Sequence, residues 1–554
     1  MIIKANYIDI EKRHIFAAEI TIENKKIKAV NAIDEVVDDY ILPGFIDAHI
    51  HIESSMVLPS EFAKVAVMHG TVATVSDPHE IANVMGVQGV QYMIDNSKTV
   101  PFNFFFGAPS CVPATIFETA GASIDANDIQ KLMQSNDIWY LAEVMNYPAV
   151  IHRDEEIMKK VNAAHHVNKP VDGHAPAVTG NDLQKYISAG ISTDHECFTY
   201  NEGLEKLNLG MKVIIREGSA AKNFDALIPL IKDFPNQIMF CSDDKHPDDL
   251  LLGHINQLVL RAINAGYDLF DVLYAACVLP VKHYKLPVGQ LKVNDNADFI
   301  VINNLKEFKV KQTFIKGSCV AQNQISYIET KPFHIINQFN CKPIAAQQLE
   351  LKSEHGNIKI IEAYNRQLIT GCIQDTVPVV DGLLCTDTNK DILKIVVVNR
   401  YFNTTPAVAF IKNFGLKEGA IASCIAHDSH NIVAVGVDDE SIARAINLII
   451  ESKGGISVAH QHGEDVLPLP VAGIMSTQSV EEVAAGYQSL HYKAKELGCK
   501  LDAPYMSLSF MALLVIPALK LSDKGLFDGL NFNFTPLNSP LERGEGCVSP
   551  LDRG

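Results

Sequence analysis

Eight short apolar runs lie between residues 45 and 243, and they constrain the fold more than any other feature of the sequence. They begin roughly 20 to 36 residues apart, and helix-like stretches separate them, as in β-α units. Eight such units in about 240 residues match the size of a (β/α)8 barrel. A doubly wound α/β sheet also alternates strands and helices, but eight similar units favour closure. The runs are residues 45–51, 71–76, 102–107, 138–143, 170–174, 191–194, 211–216 and 238–243.

Strand-like stretches flank this segment on both sides, and neither is large enough to bury a core alone. We therefore predict that residues 1–42 and 287–335 form one small β-sandwich, into which the barrel, residues 43–286, is inserted. Residues 336–535 mix strand and helix patterns, which predicts a separate C-terminal α/β domain. Residues 536–554 are rich in Pro, Gly and charge, and we expect them to form a disordered tail.

Charge and composition exclude several classes of function. With 47% hydrophobic and 20% charged residues, the chain has the composition of a globular protein rather than a disordered one. Its net charge of −18 disfavours nucleic-acid binding, so we expect a small-molecule substrate. The 11 cysteines never form a C-x-x-C pair, which indicates a reducing, cytoplasmic location. We expect neither a signal peptide nor a membrane span.

Potential metal ligands stand at the ends of five of the eight runs. Because catalytic groups of a barrel gather at the C-terminal ends of its strands, we expect these side chains to meet. Each histidine or carboxylate alone is more often structural, and the joint pattern carries the prediction. Imidazole and carboxylate together suit Zn, Fe or Mn rather than Mg or Ca. The residues are His49 and His51, which share one side of a strand, then Glu143, His174, His195 and Asp243.

These groups predict a hydrolytic chemistry. Two cations bridged by Glu143 can share a water molecule, whose pKa then falls from about 15.7 towards 7. Asp243 can accept the proton of that water and pass it to the leaving group. The reaction predicted is hydrolysis at an electrophilic carbon, which leaves an amide, an ester or an amidine-like C–NH2 carbon as possible targets.

The motif LPGFIDAHIHIESS, with the later His, His and Asp strand ends, resembles the amidohydrolase superfamily. Within it, the blocks SDPHEIANVMG, LAEVMNYPAV, VDGHAPAVTGNDL, ISTDHECF and CSDDKHPDDLL resemble those of the bacterial adenine deaminases. The C-terminal blocks AHDSHNIVAVGVDDE, LPLPVAGIMS and MSLSFMALLVIP resemble the same group. The resemblance covers about residues 1–535, nearly the whole chain.

The resemblance implies a binuclear metal site that contains manganese or iron, with zinc also compatible. Glu143 takes the bridging place that a carbamylated lysine fills in many relatives. The reaction implied is the conversion of adenine and water to hypoxanthine and ammonia, in purine salvage, by a homo-oligomer such as a dimer. The ligands implied are His49, His51, His174 and His195, with Asp243 at the acid position of strand eight.

The residues that bind and protonate the purine are less tightly specified. The group that protonates the ring can be Glu53, Glu80, Glu196 or Glu217, which all lie beside predicted strand ends. We predict that Asp77, His79 and Glu80, in SDPHE, form the purine pocket, and we favour Glu80 as the ring acid. The same motif also fits a turn with a helix N-cap, and both interpretations can hold. Arg216 and Ser219, after strand seven, can contact substrate or stabilise their loop.

Two other interpretations compete with this function. One is an amidohydrolase that acts on a different base or on a cyclic amide; such cyclic-amide enzymes usually carry Lys at strand four, so Glu143 favours deamination. The other is a non-enzymatic relative that has lost its metals, but every expected ligand is present. His427 and His430, in AHDSHNI, also form a candidate site, although surface or inter-domain histidines are commoner.

Overall fold

The structure, a computed structural model, describes residues 1–538 and opens with an antiparallel meander. The predicted tail, residues 536–554, therefore lies almost entirely outside the described residues. Period-two alternation along the second strand buries Ala18, Ile20 and Ile22 on one face, as expected for a half-buried strand. The four strands of this region are β1 (Ile2–Asp9), β2 (His14–Glu23), β3 (Lys26–Ala32) and β4 (Tyr40–Pro43).

Eight parallel strands follow, and each lies in or next to one of the eight apolar runs. They are nearly continuously buried, which is typical of a parallel sheet covered by helices. The two shortest strands coincide with the two shortest runs. The strands are β5 (Phe45–Ile50), β6 (Thr71–Ser76), β7 (Asn103–Ala108), β8 (Ile138–Val144), β9 (Val171–Gly173), β10 (Thr193–Asp194), β11 (Lys212–Arg216) and β12 (Ile238–Cys241).

Backbone hydrogen bonds close these strands into a ring. Strands β5 to β9 form one parallel ladder and β10 to β12 a second. The ladders join where the Ser192 N–H donates to the Val171 carbonyl at 3.0 Å. At the other seam, the Asp243 N–H donates to the His49 carbonyl at 3.0 Å, and the His51 N–H donates to the Asp243 carbonyl at 3.4 Å. The predicted (β/α)8 barrel is therefore confirmed.

Helices cover the outside of the barrel and bury one apolar stripe each. In α11, for example, Ile255, Leu258, Val259 and Ala262 are buried at helical spacing. The side chain of Asp154 caps α6 by accepting hydrogen bonds from its first turn. The helices are α1 (Pro59–Ala66), α2 (His79–Met85), α3 (Val87–Ser97), α4 (Ala126–Met133), α5 (Tyr147–Ile151), α6 (Glu155–His166), α7 (Gly180–Ser188), α8 (Tyr200–Asn208), α9 (Phe224–Leu227), α10 (Pro247–Leu252), α11 (Ile255–Asn264), α12 (Leu269–Leu273) and α13 (Leu279–Tyr284).

After the barrel, the chain returns to the first sheet. The strands β13 (Phe299–Ile302), β14 (Val310–Ile315), β15 (Ser318–Gln322) and β16 (Ile325–Ser326) join β1 to β4 in one eight-stranded sheet. The junction is β4, which pairs parallel with β1 and antiparallel with β13. Ile300 and Ile302 of this sheet pack with Leu42 and Phe45 against the barrel.

The C-terminal region is built on a second eight-stranded sheet with helices packed against it. The strands of the C-terminal region are β17 (Asn357–Ala363), β18 (Thr370–Thr376), β19 (Val379–Val380), β20 (Leu383–Leu384), β21 (Ile392–Val398), β22 (Ala407–Lys412), β23 (Ala420–Ser423), β24 (Ile432–Gly436), β25 (Gly455–His460), β26 (Gly463–Pro468), β27 (Leu519–Ser522), β28 (Gly525–Asp528) and β29 (Asn533–Phe534), and its helices are α14 (Asp439–Ser452), α15 (Val480–Glu496) and α16 (Pro504–Ser509).

None of the helices within residues 1–538 is long and apolar enough to cross a membrane.

Candidate metal centre and catalytic cavity

Glu143, at the end of β8, stands at the centre of a buried cluster of histidines. Its Oε1 atom lies 3.3 Å from Nε2 of His51 and 4.0 Å from Nε2 of His49. Its Oε2 atom lies 2.7 Å from Nδ1 of His174 and 3.2 Å from Nε2 of His195. Each oxygen of one carboxylate therefore faces a separate pair of imidazoles, which is the arrangement that a ligand bridging two cations requires.

Asp243 belongs to the same cluster and is oriented by a buried arginine. Its Oδ1 atom lies 3.3 Å from Nε2 of His51 and 3.8 Å from Nε2 of His49. Its Oδ2 atom accepts a hydrogen bond from Nη1 of Arg216 at 2.7 Å. Arg216 also forms a two-point ion pair with Glu196, in which Nη2 donates to Oε2 at 2.9 Å. This pairing fixes which oxygen of Asp243 faces the histidines.

The electrostatics of the cluster keep its carboxylates ionised. Burial alone raises the pKa of Glu143 and of Asp243, but the adjacent imidazoles and Arg216 outweigh it and hold both pKa values well below their usual range. Burial lowers the pKa of His195, but the neighbouring Glu143 carboxylate raises it to about 9. The carboxylates are thus ionised, as cation binding requires, whereas a metal ion would have to displace the proton of His195 to bind that imidazole.

The spacing of these atoms fits a divalent metal centre. Two ligands at about 2.1 Å from one tetrahedral metal ion lie about 3.4 Å apart. The Nε2 atoms of His51 and His195 lie 3.3 and 3.2 Å from the oxygens of Glu143. Within residues 1–538, Nε2 of His174 has no hydrogen-bond partner although it is buried. Donor groups drawn from His, Asp and Glu lie within 4.8 Å of one another in several overlapping sets.

The predicted purine-pocket residues Asp77 and His79 lie against this cluster. Nδ1 of His79 is 3.2 Å from Oδ2 of Asp77 and 3.4 Å from Oε1 of Glu143. The carbonyl oxygen of Asp77 is 3.1 Å from Nδ1 of His51. The Asp77 side chain also accepts from the His79 N–H at 3.1 Å, as the turn interpretation of this motif predicts, but the N-cap of α2 is Pro78 and not Asp77.

Glu80 points instead towards the C-terminal region. Its Oε1 atom contacts Nδ1 of His427, and its Oε2 atom contacts Nε2 of His430. Asp428 lies 3.5 Å from Nε2 of His79 on the same side of the cavity. The motif AHDSHNI marks His427 and His430 as a candidate site in the sequence. Their contact with Glu80, more than half of the chain away, was not predicted.

The structure places Ser219 in the second of its two predicted roles, support of its loop, because Ser219 does not line the cavity beside Arg216. Its hydroxyl donates to Asp249 of α10 at 2.5 Å and accepts from the His246 N–H at 2.9 Å. The backbone turns after β11, so Ser219 faces α10 and stabilises its loop. Glu196, by contrast, lines the cavity directly after His195, and the motif STDHE was the signal for it.

The cavity combines this polar floor with an apolar wall from the C-terminal region. The ring of Phe510 stacks on that of His427 with centroids 5.0 Å apart. An apolar wall beside polar groups is the kind of lining that a flat heteroaromatic ligand requires. The wall residues are Leu368, Phe510, Leu513, Val515 and Ile516, and the polar lining includes His51, His79, Glu80, Glu143, His174, His195, Glu196, Arg216, Asp243, Asp244, His427 and Asp428.

Sequence comparisons find relatives that align with nearly the whole chain. Residues 40–320 match the amidohydrolase family, and residues 367–533 match the adenine deaminase C-terminal domain. An adenine deaminase of Parabacteroides distasonis is 51% identical over 97% of this chain and 98% of that protein. Those of Sulfurovum sp. and Salinibacter ruber are 54% and 51% identical over 96% of this chain and 99% and 98% of theirs. The predicted resemblance is confirmed, and the chain belongs to the adenine deaminase family of amidohydrolases.

Proposed function

We propose that this chain catalyses the hydrolytic deamination of adenine to hypoxanthine and ammonia, a step of purine salvage. The observation that carries the proposal is the Glu143 carboxylate, whose two oxygens face separate histidine pairs in a chain 51% identical to a named adenine deaminase. Several other adenine deaminases are similarly close over almost their full length. The chain is thus proposed to be an enzyme that cleaves the C–N bond of a cyclic amidine.

The cluster would hold two divalent metal ions. His49, His51 and Asp243 would bind one, His174 and His195 the other, with Glu143 between them. The family resemblance supports manganese or iron, and the same donor set also accepts zinc. Metal ions at this site would lower the pKa of a water molecule from about 15.7 towards 7 and so supply a nucleophile at neutral pH.

Asp243 would handle the proton that leaves the attacking water. Its Oδ2 atom is held by Arg216, so Oδ1 remains directed at the histidines, where the water would lie. The carboxylate would accept one proton as the water attacks C6 and would pass it to the departing amine, which leaves as ammonia. The ionised state of Asp243 suits the first of these two steps.

Glu80 would protonate a ring nitrogen of adenine. Its carboxylate is 1% exposed and lines the same cavity as Glu143 and Asp243. A proton on the ring makes C6 more electrophilic, and it stays in hypoxanthine as an N–H group. The second proton of the water replaces it, so the reaction balances without another reactant. Asp77 and His79 would support this edge of the pocket.

A different amidohydrolase activity, on another base or on a cyclic amide, is the alternative. Glu143 at the end of β8 argues against a cyclic amide, because the relatives that hydrolyse cyclic amides usually carry lysine there. The choice between adenine and another purine depends on groups that contact the ring edge. It is therefore best decided by a direct comparison of substrates.

Ammonia release tests the proposed function. Protein loaded with Mn²⁺ is incubated separately with adenine, adenosine and guanine, and chelator-treated protein serves as the control. Ammonia from adenine alone, lost on chelation and regained on reloading, is the expected result. Ammonia from adenosine alone would make the chain a nucleoside deaminase, and no ammonia from adenine, with bound metal verified, would refute deamination.

We further propose that the enzyme is a cytoplasmic homo-oligomer, most simply a dimer. Eleven cysteines with no C-x-x-C pair support a reducing compartment. Two-fold dimers are the commonest state of homo-oligomers. Light scattering coupled to gel filtration tests this proposal, and a mass equal to the 60.9 kDa of one chain would contradict it.

A further inference from the structure

Two histidines of the C-terminal region form hydrogen bonds with the carboxylate of Glu80, a residue of the barrel. Nδ1 of His427 bonds to Oε1 of Glu80, and Nε2 of His430 bonds to Oε2. All three side chains are buried, with exposed fractions of 4%, 1% and 1% respectively. Because each oxygen is bonded to a different ring, the carboxylate cannot rotate, and the Glu80 side chain has one orientation in the cavity.

The turn that carries both histidines is itself held in place. The Tyr401 hydroxyl donates to the Ser429 carbonyl at 2.7 Å. The Asn431 side-chain amide donates to the carbonyl of Thr119, in a barrel loop, at 2.9 Å. The turn is therefore tied both to its own sheet and to the barrel. Such support is typical of groups whose position matters to a reaction.

The charges around Glu80 disfavour its protonated form, although a group that protonates the purine ring must carry a proton. Burial raises its pKa, but the charges of His427, His79 and His430 outweigh burial and hold the pKa well below its usual range. Glu80 is then ionised at neutral pH and has no proton of its own to give. A proton donor in direct contact with it is required, and the structure offers one.

His427 meets that requirement by contact and by charge. Burial lowers its pKa, but Glu80, Asp244 and Asp428 raise it to about 9, so the ring carries a proton at neutral pH. His79, His246 and His430 are further titratable groups whose charge acts in this neighbourhood. Phe510 stacks on one face of the His427 ring.

We propose that His427 supplies the proton that Glu80 passes to the purine ring, and that His430 holds the second oxygen of Glu80 in place. The N–H bond of His427 breaks as the O–H bond of Glu80 forms, and that O–H bond breaks as the ring N–H bond forms. The second proton of the attacking water passes to Glu80 as its O–H bond breaks, and from Glu80 to His427, which restores the imidazolium. This inference rests on the proposed deamination and gives the C-terminal region a positioning role in it.

Matched substitutions separate proton supply from simple support. His427→Asn keeps an N–H at the Nδ1 position but cannot donate a proton to Glu80, and His427→Leu removes both. His430→Gln keeps an N–H at the Nε2 position, and His430→Leu removes it. His69→Gln is the control, because His69 is equally buried, at 4% exposed, but its Nε2 atom bonds to the Leu250 carbonyl, which does not line the cavity.

Steady-state kinetics with adenine and Mn²⁺-loaded enzyme are the readout. We expect Glu80→Gln to lower kcat by about 10²- to 10⁴-fold, as the loss of a general acid does. His427→Asn and His427→Leu should each lower kcat at least about 10-fold with little change in KM. The His69 control should stay within about threefold of the parent, and His430→Gln should retain more activity than His430→Leu.

Two further measurements make the test specific. In a Glu80→Gln background, His427→Asn should cause no additional loss, because both groups act on the same proton. The alkaline limb of the parent kcat–pH profile, near pH 9, should be absent in His427→Asn. Parent-like kcat in His427→Asn, or losses that multiply in the double variant, would overturn the inference while leaving deamination intact. No ammonia from the parent would instead overturn the proposed function.

Discussion

Replacing Lys206 with methionine tests how the barrel supports the histidines that we propose as metal ligands. Lys206, on α8, is fully buried, and its Nζ atom donates to Oδ2 of Asp194 at 2.5 Å and to Oε1 of Glu202 at 2.8 Å. It also donates to the Ala175 carbonyl at 2.8 Å, and Asp194 in turn accepts from the Ala175 N–H at 3.0 Å. One ammonium thus joins the ends of β9 and β10.

The cost of the substitution follows from burial. Methionine retains most of the aliphatic stem, so packing changes little, but Asp194 is left buried without its cation. Breaking a buried ion pair in this way lowers the free energy of unfolding by about 3–5 kcal/mol. Ala175 and Asp194 are the direct neighbours of His174 and His195, so metal affinity should fall as well, by about 10- to 100-fold.

The pH dependence has a definite sign. Burial raises the pKa of Asp194, but the charges of Lys206 and His195 outweigh it and lower the pKa below its usual value. A carboxylate with a lowered pKa in the folded state stabilises the fold above its unfolded pKa of about 4, and that contribution is lost as the pH falls. The difference between parent and variant should therefore be largest at neutral pH and shrink in acid.

Urea unfolding followed by tryptophan fluorescence is the assay. Trp139, the one tryptophan of the chain, lies in β8 and reports on the barrel itself. Lys185→Met is the control, because Lys185 pairs with Asp182 at 2.8 Å on the exposed face of α7 and should change stability by less than about 0.5 kcal/mol. Equal stability and equal metal content of the Lys206 variant and the parent would refute the argument.

Three other predictions concern the cavity and its surroundings. His51→Ala and Asp243→Asn should abolish ammonia release while the far-ultraviolet circular dichroism stays that of the parent; parent-like rates in either would refute their roles. Lys520→Met should raise KM for adenine about 10-fold with kcat nearly unchanged. The buried Nζ of Lys520 donates to the carbonyls of Leu368 and Phe510, two residues of the apolar wall, at 2.7 and 2.9 Å. An unchanged KM would contradict this prediction. Burial raises the pKa of Glu118 to about 8, so its ionisation destabilises the fold as the pH rises from about 4.5 to 8; Glu118→Gln should be more stable than the parent at pH 8 but not at pH 5, as urea unfolding at both values would reveal.

The barrel and the strand-end positions of its ligand residues follow from local patterns, which is why the sequence predicts them. A buried parallel strand is a short apolar run, and its last residue is easily found. His49, His51, Glu143 and His195 all lie at such ends, and the closed ring brings them together whatever the details of the loops. The strand-end rule needs no knowledge of packing between distant segments.

Ser219 and Glu80 show where that rule fails. Ser219 lies three residues beyond the end of β11, and the Glu217–Lys222 bridge turns the loop so that its side chain faces α10. Nothing in the residue types of this loop specifies that turn. The contact of Glu80 with His427 depends on how two sheets far apart in the chain dock, and local patterns carry no information on docking.

The docking also brings residues of the C-terminal region into the cavity that we propose as the active site. Glu80 lines the same cavity as Glu143 and Asp243, and three carboxylates in one buried cavity repel one another. The metal ions would neutralise two of them, but Glu80 faces away from the metal ligands and needs other partners. His427 and His430 provide the compensating charge and hydrogen bonds, and Phe510 covers the cavity from the same side. The barrel therefore supplies the cation site, and the C-terminal region completes the site that would protonate and enclose the ring.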